Sequence, residues 1–174
     1  MIKVGDNTIE QLPGTLKEED FFPMCENFTL SFFHKKGQIG PFSMFFVQGK
    51  VLLANWSFQD AASKQLAILQ ARHVCKTLLV TKYFFASETW VTSIKQDDPD
   101  LNSRLDKIKQ SGVSNEPDRM EKLTISMENE GEKPIMVTYD IDRDSGQPIL
   151  VNRMQLKDII ESRLTGMLDQ KPSK

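Results

Sequence analysis

The feature that most restricts the fold lies between residues 119 and 142. From Arg119 to Glu128, Leu123, Ile125 and Met127 alternate with polar residues, and from Pro134 to Asp142, Ile135, Val137, Tyr139 and Ile141 do the same. A period of two places each apolar set on one face of a β-strand. The connection Asn129-Glu130-Gly131-Glu132 is too short for a crossover, so the two strands pair antiparallel as a hairpin. An isolated hairpin with one apolar face is barely stable in water. It requires further strands beside it and a second layer over it.

The rest of the chain supplies both. Pro41 to Val47, a Gln48-Gly49 turn and Lys50 to Trp56 read as another hairpin, Tyr83 to Ile94 as a strand and Ile149 to Val151 as a short one. Thr15 followed by Glu18 has capping-box spacing, so a helix is expected from about Leu16, with Phe21, Met24, Cys25, Phe28 and Phe32 on its stripe and Lys35-Lys36-Gly37 as its stop. A second helix spans Asp60 to Leu79, with Ala62, Leu66, Ala67, Leu69, Val74 and Leu78 expected inward. Met154, Ile159, Ile160, Leu164 and Leu168 predict a final helix. The expected fold is α+β, in the order α-β-β-α-β-β-β-α. It has an antiparallel sheet of about five strands with helices on one face. One domain covers 1–174, with an N-terminal arm over 1–14, a loop or short-helix insertion over 95–118 carrying Leu101, Leu105 and Ile108, and a frayed tail over 170–174.

Composition excludes several classes. The 174 residues carry 22 basic and 24 acidic side chains for a net charge of −2, without the excess expected of a surface built for a phosphate backbone, so nucleic-acid binding is disfavoured. No apolar run approaches the roughly 20 residues that cross a bilayer. The start Met1-Ile2-Lys3-Val4 lacks a secretory leader, and Cys25 and Cys75 are read as small buried residues rather than a disulfide. The expected setting is cytoplasmic.

The segment Ser87-Glu88-Thr89-Trp90, followed by Pro117-Asp118-Arg119-Met120-Glu121-Lys122-Leu123, resembles a pattern in uncharacterised bacterial and phage proteins, an S-E-x-W strand and then P-x-R-x-E-x-L. The resemblance implies a bacterial or phage source and no activity. The element order is similar to profilin-like and roadblock domains, a likeness of topology that implies no function.

Candidate chemistry centres on Glu88. Alternation puts it on the face of Phe84, Ala86, Trp90 and Ile94, where a carboxylate is costly unless paired. Arg119 and Lys122 are the expected partners, with Glu121 beside them. Two readings follow: a structural ion pair, which is favoured, or an acid–base pair of Glu88 and Glu121 assisted by Arg119 in a small hydrolase or nucleotide-handling enzyme. No nucleophile accompanies them, and His34 and His73 have no ligand-spaced neighbours. Asp140 to Gly146 lacks the glycine and glutamate positions of a calcium loop and reads as a polar turn. No metal or cofactor is expected. The leading functional reading is a protein-interaction module, binding a partner or a second copy through a sheet edge or through Phe42, Phe45, Phe46, Trp56 and Trp90.

Overall fold

A computed structural model of the chain describes residues 2–4, 7–58, 60–92, 99–111, 113, 117–144, 146–156 and 167–168. In chain order the strands are β1 (Ile2–Val4), β2 (Asn7–Gln11), β3 (Phe42–Val47), β4 (Lys50–Asn55), β5 (Lys82–Val91), β6 (Met120–Asn129), β7 (Ile135–Asp142) and β8 (Ile149–Leu156). The helices are α1 (Phe21–Lys36), preceded by a 3-10 turn at Glu18–Asp20, α2 (Ala61–Leu78) and α3 (Leu101–Ser111). The class is α+β, and the eight strands form one sheet in the order β1-β2-β4-β3-β5-β6-β7-β8. Every neighbouring pair is antiparallel.

The strand count exceeds the expected five, and the order begins with strands, not with a helix. Two of the additional strands lie in the arm: β2 pairs with β4 through Ile9 and Ala54, and Ile9 is buried. The helix begins later than expected, at Phe21, with Pro23 inside its first turn, where the missing N–H costs nothing. Met154, expected in a final helix, lies in β8, while Ile159, Ile160, Leu164 and the 170–174 tail lie outside the described residues. Ile94 is likewise outside them, and β5 ends at Val91.

Both expected hairpins form. Gln48 and Gly49 take φ of 49° and 80°, the left-handed pair that matches the twist of a two-residue hairpin turn. The β3–β4 hairpin is not at an edge. β2 flanks it on one side and β5 on the other, because α2 carries the chain from β4 over β3 to β5.

The helices cover opposite faces, not one. α1 packs Phe21, Cys25 and Phe33 onto Phe42, Met44, Phe46, Phe84, Ala86, Leu123, Ile125 and Val137. α2 packs Ala67, Ile68, Ala71, Val74 and Cys75 onto Phe45, Leu52, Ala54, Tyr83 and Phe85. Alternation along β3 and β5 feeds both layers, which is why nearly every residue of β3 is buried. Leu66 and Leu69, expected inward on α2, are 55% and 52% exposed. Ala67, Ile68, Ala71, Val74 and Cys75 take the face that meets the aromatics, and Leu66 and Leu69 are turned away from it. In the 95–118 insertion, α3 contributes to neither core. Arg104 on α3 is tied to Asp118 at 2.5 Å, and Thr92 donates to the same Asp118 oxygen at 2.8 Å.

Candidate functional site

On the α1 face the apolar layer ends in a charged cluster. The two segments quoted from β5 and β6 are cross-strand neighbours, with Glu88 opposite Leu123 and Trp90 opposite Glu121. Glu88 and Glu121 are therefore diagonal neighbours on one face. Their partner is Arg143, immediately after β7. The odd positions of β7 (135, 137, 139 and 141) face α1, and 143 continues that series.

Arg143 makes four hydrogen bonds. Nε donates to Glu121 Oε2 at 2.7 Å, and Nη2 to Glu121 Oε1 at 2.9 Å and Glu88 Oε2 at 3.1 Å, while Nη1 donates to the Gly37 carbonyl at 2.9 Å. The second oxygen of Glu88 accepts from the Ile39 N–H at 2.6 Å. All four carboxylate oxygens are thus engaged, and the cluster joins β5, β6 and the end of β7 to the α1–β3 loop. The neighbouring Gln147 donates to the His34 carbonyl at 3.1 Å, and Pro148 rests against Gly37. The β7–β8 connection thus supplies a cation and an amide to carbonyls at the end of α1.

The two carboxyl groups are driven apart. Burial raises Glu88 above the usual carboxylate range, opposed by the Ile39 N–H and reinforced by Glu121. Hydrogen bonding from Arg143 lowers Glu121. Arg119, the expected partner, instead places its guanidinium over the Trp90 ring, 5.1 Å from the centroid. Lys122 projects to the opposite face and pairs with Asp140. Of the set Glu88, Glu121 and Arg119, the two carboxyl groups meet on Arg143, and the Arg119 guanidinium lies over Trp90.

Beside the cluster the surface is concave. One depression of about 420 Å³ is lined by Phe32, Lys36, Gln38, Ile39, Gly40 and Glu88. A second, of about 260 Å³, is lined by Phe28, Phe32, Ile39, Gly40, Pro41, Phe42, Leu53, Asn55 and Trp56. Phe32, Ile39 and Gly40 line both, so the two adjoin at the α1–β3 loop, and the second forms a groove between α1 and the β3–β4 hairpin. Phe28 stacks on Phe32 at 6.2 Å and meets Phe42 edge-on at 6.0 Å, making a fixed aromatic wall. Phe32 at the rim is 40% exposed.

Of the five contact aromatics expected from sequence, Phe42, Phe45, Phe46 and Trp56 are buried. They are core residues, because the hairpin carrying them is central; Phe42 and Trp56 reach the groove only as lining. Trp56 Nε1 donates to Ser43 Oγ at 2.8 Å, which lies 2.9 Å from Tyr83 Oη, so the buried polar atoms there are satisfied. Trp90 alone of the five is exposed, and Arg119 covers one side of it. Sequence reading missed Arg143 and Phe32's place at a groove rim. Extending the β7 alternation by one step past Ile141 would have put residue 143 on the face of Glu88.

Thiol chemistry has no support. Burial lifts the Cys25 thiol far above its ordinary value and pushes Cys75 up to about 12, and the two lie in cores on opposite sides of the sheet. Both histidines are exposed, and among the described residues no cluster of three or more His, Cys, Asp or Glu side chains could hold a metal ion. No described helix is long and apolar enough to cross a membrane. No protein family, curated protein or solved structure matches the chain.

Proposed function

We propose that the chain is a protein-interaction module whose groove between α1 and the β3–β4 hairpin receives an apolar side chain of a partner protein. The observation that carries this reading is the 260 Å³ depression, with its stacked Phe28–Phe32 wall and buried Phe42 and Trp56 as floor. Its lining is mainly aromatic and aliphatic, which suits an apolar side chain. Rigid aromatics at a contact lose little entropy on binding, which favours association there. Two buried, unpaired thiols accord with a reducing, cytoplasmic setting. The resemblance of the β5 and β6 segments points to a bacterial or phage origin.

The second reading, an acid–base enzyme, draws on Glu88 and Glu121, whose proton affinities diverge at the edge of the 420 Å³ depression. Against it, each oxygen of the pair already accepts a hydrogen bond that holds loop and strands together. Catalysis there would have to break the structure that positions it.

A photo-crosslinking residue at position 32, expressed in the native host, tests the interaction reading, with Leu69 on the far side of the molecule as control. The expected result is a discrete protein adduct from position 32 and none from 69. Adducts of twice the chain mass would make the partner a second copy. Equal labelling from both positions, or none from 32, rejects the reading.

A further inference from the structure

The α2 layer is closed by two residues that belong to none of the described helices or strands. Met167 is 3% exposed and packs among Trp56, Ala67, Ala71, Tyr83 and Phe85, and Leu168 rests half-buried against the same cluster. Among the described residues, one acceptor holds their backbone. Glu128 Oε2, on β6, accepts from the Met167 N–H at 2.8 Å and from the Leu168 N–H at 3.2 Å.

A carboxylate is a costly fastener for a closed layer. Glu128 is itself 3% exposed, so seating these two residues keeps a carboxylate out of water, a cost that offsets much of what the hydrogen bonds to their N–H groups return. Two positions along the same face of β6, the Ser126 hydroxyl is buried with no hydrogen-bond partner among the described residues. An apolar pair at these positions would close the layer without either cost. Lifting Met167 and Leu168 removes two donors from Glu128, and water can replace both. Trp56 joins this contact to the groove, because it lines the space beside Met167 and also the 260 Å³ depression. Its Nε1–H is fixed on Ser43 Oγ, so the ring is held by that bond and by what packs against it.

We infer that Met167 and Leu168 form a releasable strap, fastened by Glu128, whose seating beside Trp56 fixes the floor of the groove and whose release loosens it. A side chain bound in the groove holds the same ring in place, and so favours the closed strap. By linkage, a closed strap favours binding to the same extent. The inference rests on the interaction reading and adds a control on that site.

Hydrogen exchange of the full ¹⁵N-labelled chain, followed by NMR, tests the release. The Met167 and Leu168 amides are expected to exchange about a hundredfold or more faster than those of Phe45 and Phe85 in the central strands, at rates that low urea leaves unchanged, the mark of local opening. The Trp56 indole N–H tests the control, with Trp90, the chain's other tryptophan, as reference. In Met167→Ala the Trp56 indole signal should shift and exchange about tenfold or more faster, while the Trp90 signal stays in place. Exchange of Met167 and Leu168 at the rate of the central strands makes them ordinary core and overturns the inference. An unmoved Trp56 indole overturns it too. So does failure of Met167→Ala to fold, since truncating a strap costs no more than its closing free energy. The cross-link at position 32 decides separately whether the groove binds a protein, whichever way the strap behaves.

Discussion

The two faces of the sheet are built from the same aromatic-rich strands and end differently. On the α2 face the helix presents Ala67, Ile68, Ala71, Val74 and Cys75, which pack onto Phe45, Tyr83 and Phe85. Met167 covers the end of that layer and leaves only about 10 Å³ beside Trp56 and Phe58. On the α1 face Phe28 and Phe32 line a groove between the helix and the hairpin. Nor does that layer close with apolar atoms: Glu88, Glu121 and Arg143 finish it. The same aromatic-rich strands thus underlie a filled layer on one face and an open groove on the other.

Truncation measures this contrast most strongly. Phe45→Ala should destabilise by about 3–5 kcal/mol, because the filled α2 layer cannot collapse into the space. Phe32→Ala at the groove rim should stay within about 0.5 kcal/mol. Urea unfolding of both variants checks the pair, and similar losses would mean that the groove is part of the core.

Arg143→Ala is expected next in size. A fully buried pair broken on one side loses about 3–5 kcal/mol, but this guanidinium is more than a third exposed, and solvent screening reduces the loss to about 1–2 kcal/mol. Arg119→Ala, which removes a ring contact at an exposed tryptophan, should cost less than about 1 kcal/mol. If Arg119 proved the costlier of the two, the cluster as described would be wrong.

The pH response sharpens the account of the cluster. The folded-state proton affinity of Glu88 is raised, so its contribution is fully present below the ordinary value of 4.5 and is lost as pH rises through the higher folded value. Glu121 has the opposite sign, contributing above its ordinary value and losing that contribution as pH falls through the lowered one. Stability of Glu88→Gln relative to wild type should therefore improve between about pH 4.5 and 7, by less than about 1 kcal/mol. Thermal melts across that range are the check, and a flat difference would remove the raised affinity.

The smallest effect belongs to α3. Leu105→Ala should change stability by less than about 0.5 kcal/mol, since the helix joins neither core. A large loss of melting temperature would place α3 against the sheet.

The β3–β4 and β6–β7 hairpins, the α2 helix and β5 were visible in the sequence, from short turns, alternation, a helical stripe or an apolar run. β2 was missed because Ile9 is the one apolar residue in Asn7–Gln11, too little to register a period. β8 was seen only in its first three residues. The register slips between Thr138 and Asp140, and Asn152 takes a left-handed φ of 53° opposite the slip, so the apolar pattern changes face within the strand. On α2 the expected face included Leu66 and Leu69 with Ala67 and Val74, whereas the buried face is Ala67, Ile68, Ala71, Val74 and Cys75. Glu88 was legible as a carboxyl needing a partner. Arg143 was not found because it follows β7 in what reads as a turn, where only its parity linked it to that face.

The crossover from β4 over β3 to β5 also sets the order in which a growing chain can protect itself. The hairpin of β3 and β4 closes locally through its turn, but β3 pairs with β5 some 40 residues later, Phe42 with Ala86 and Phe45 with Tyr83. Until that stretch has left the ribosome, Phe42 and Phe46 on one side and Phe45 on the other face water or whatever holds the nascent chain. Pairing across such separations is slow, and an uncovered two-sided apolar hairpin invites association with its neighbours. Synthesis at about 5–20 residues per second leaves that interval open for seconds. The central position that protects the hairpin in the finished protein leaves it uncovered in the unfinished one.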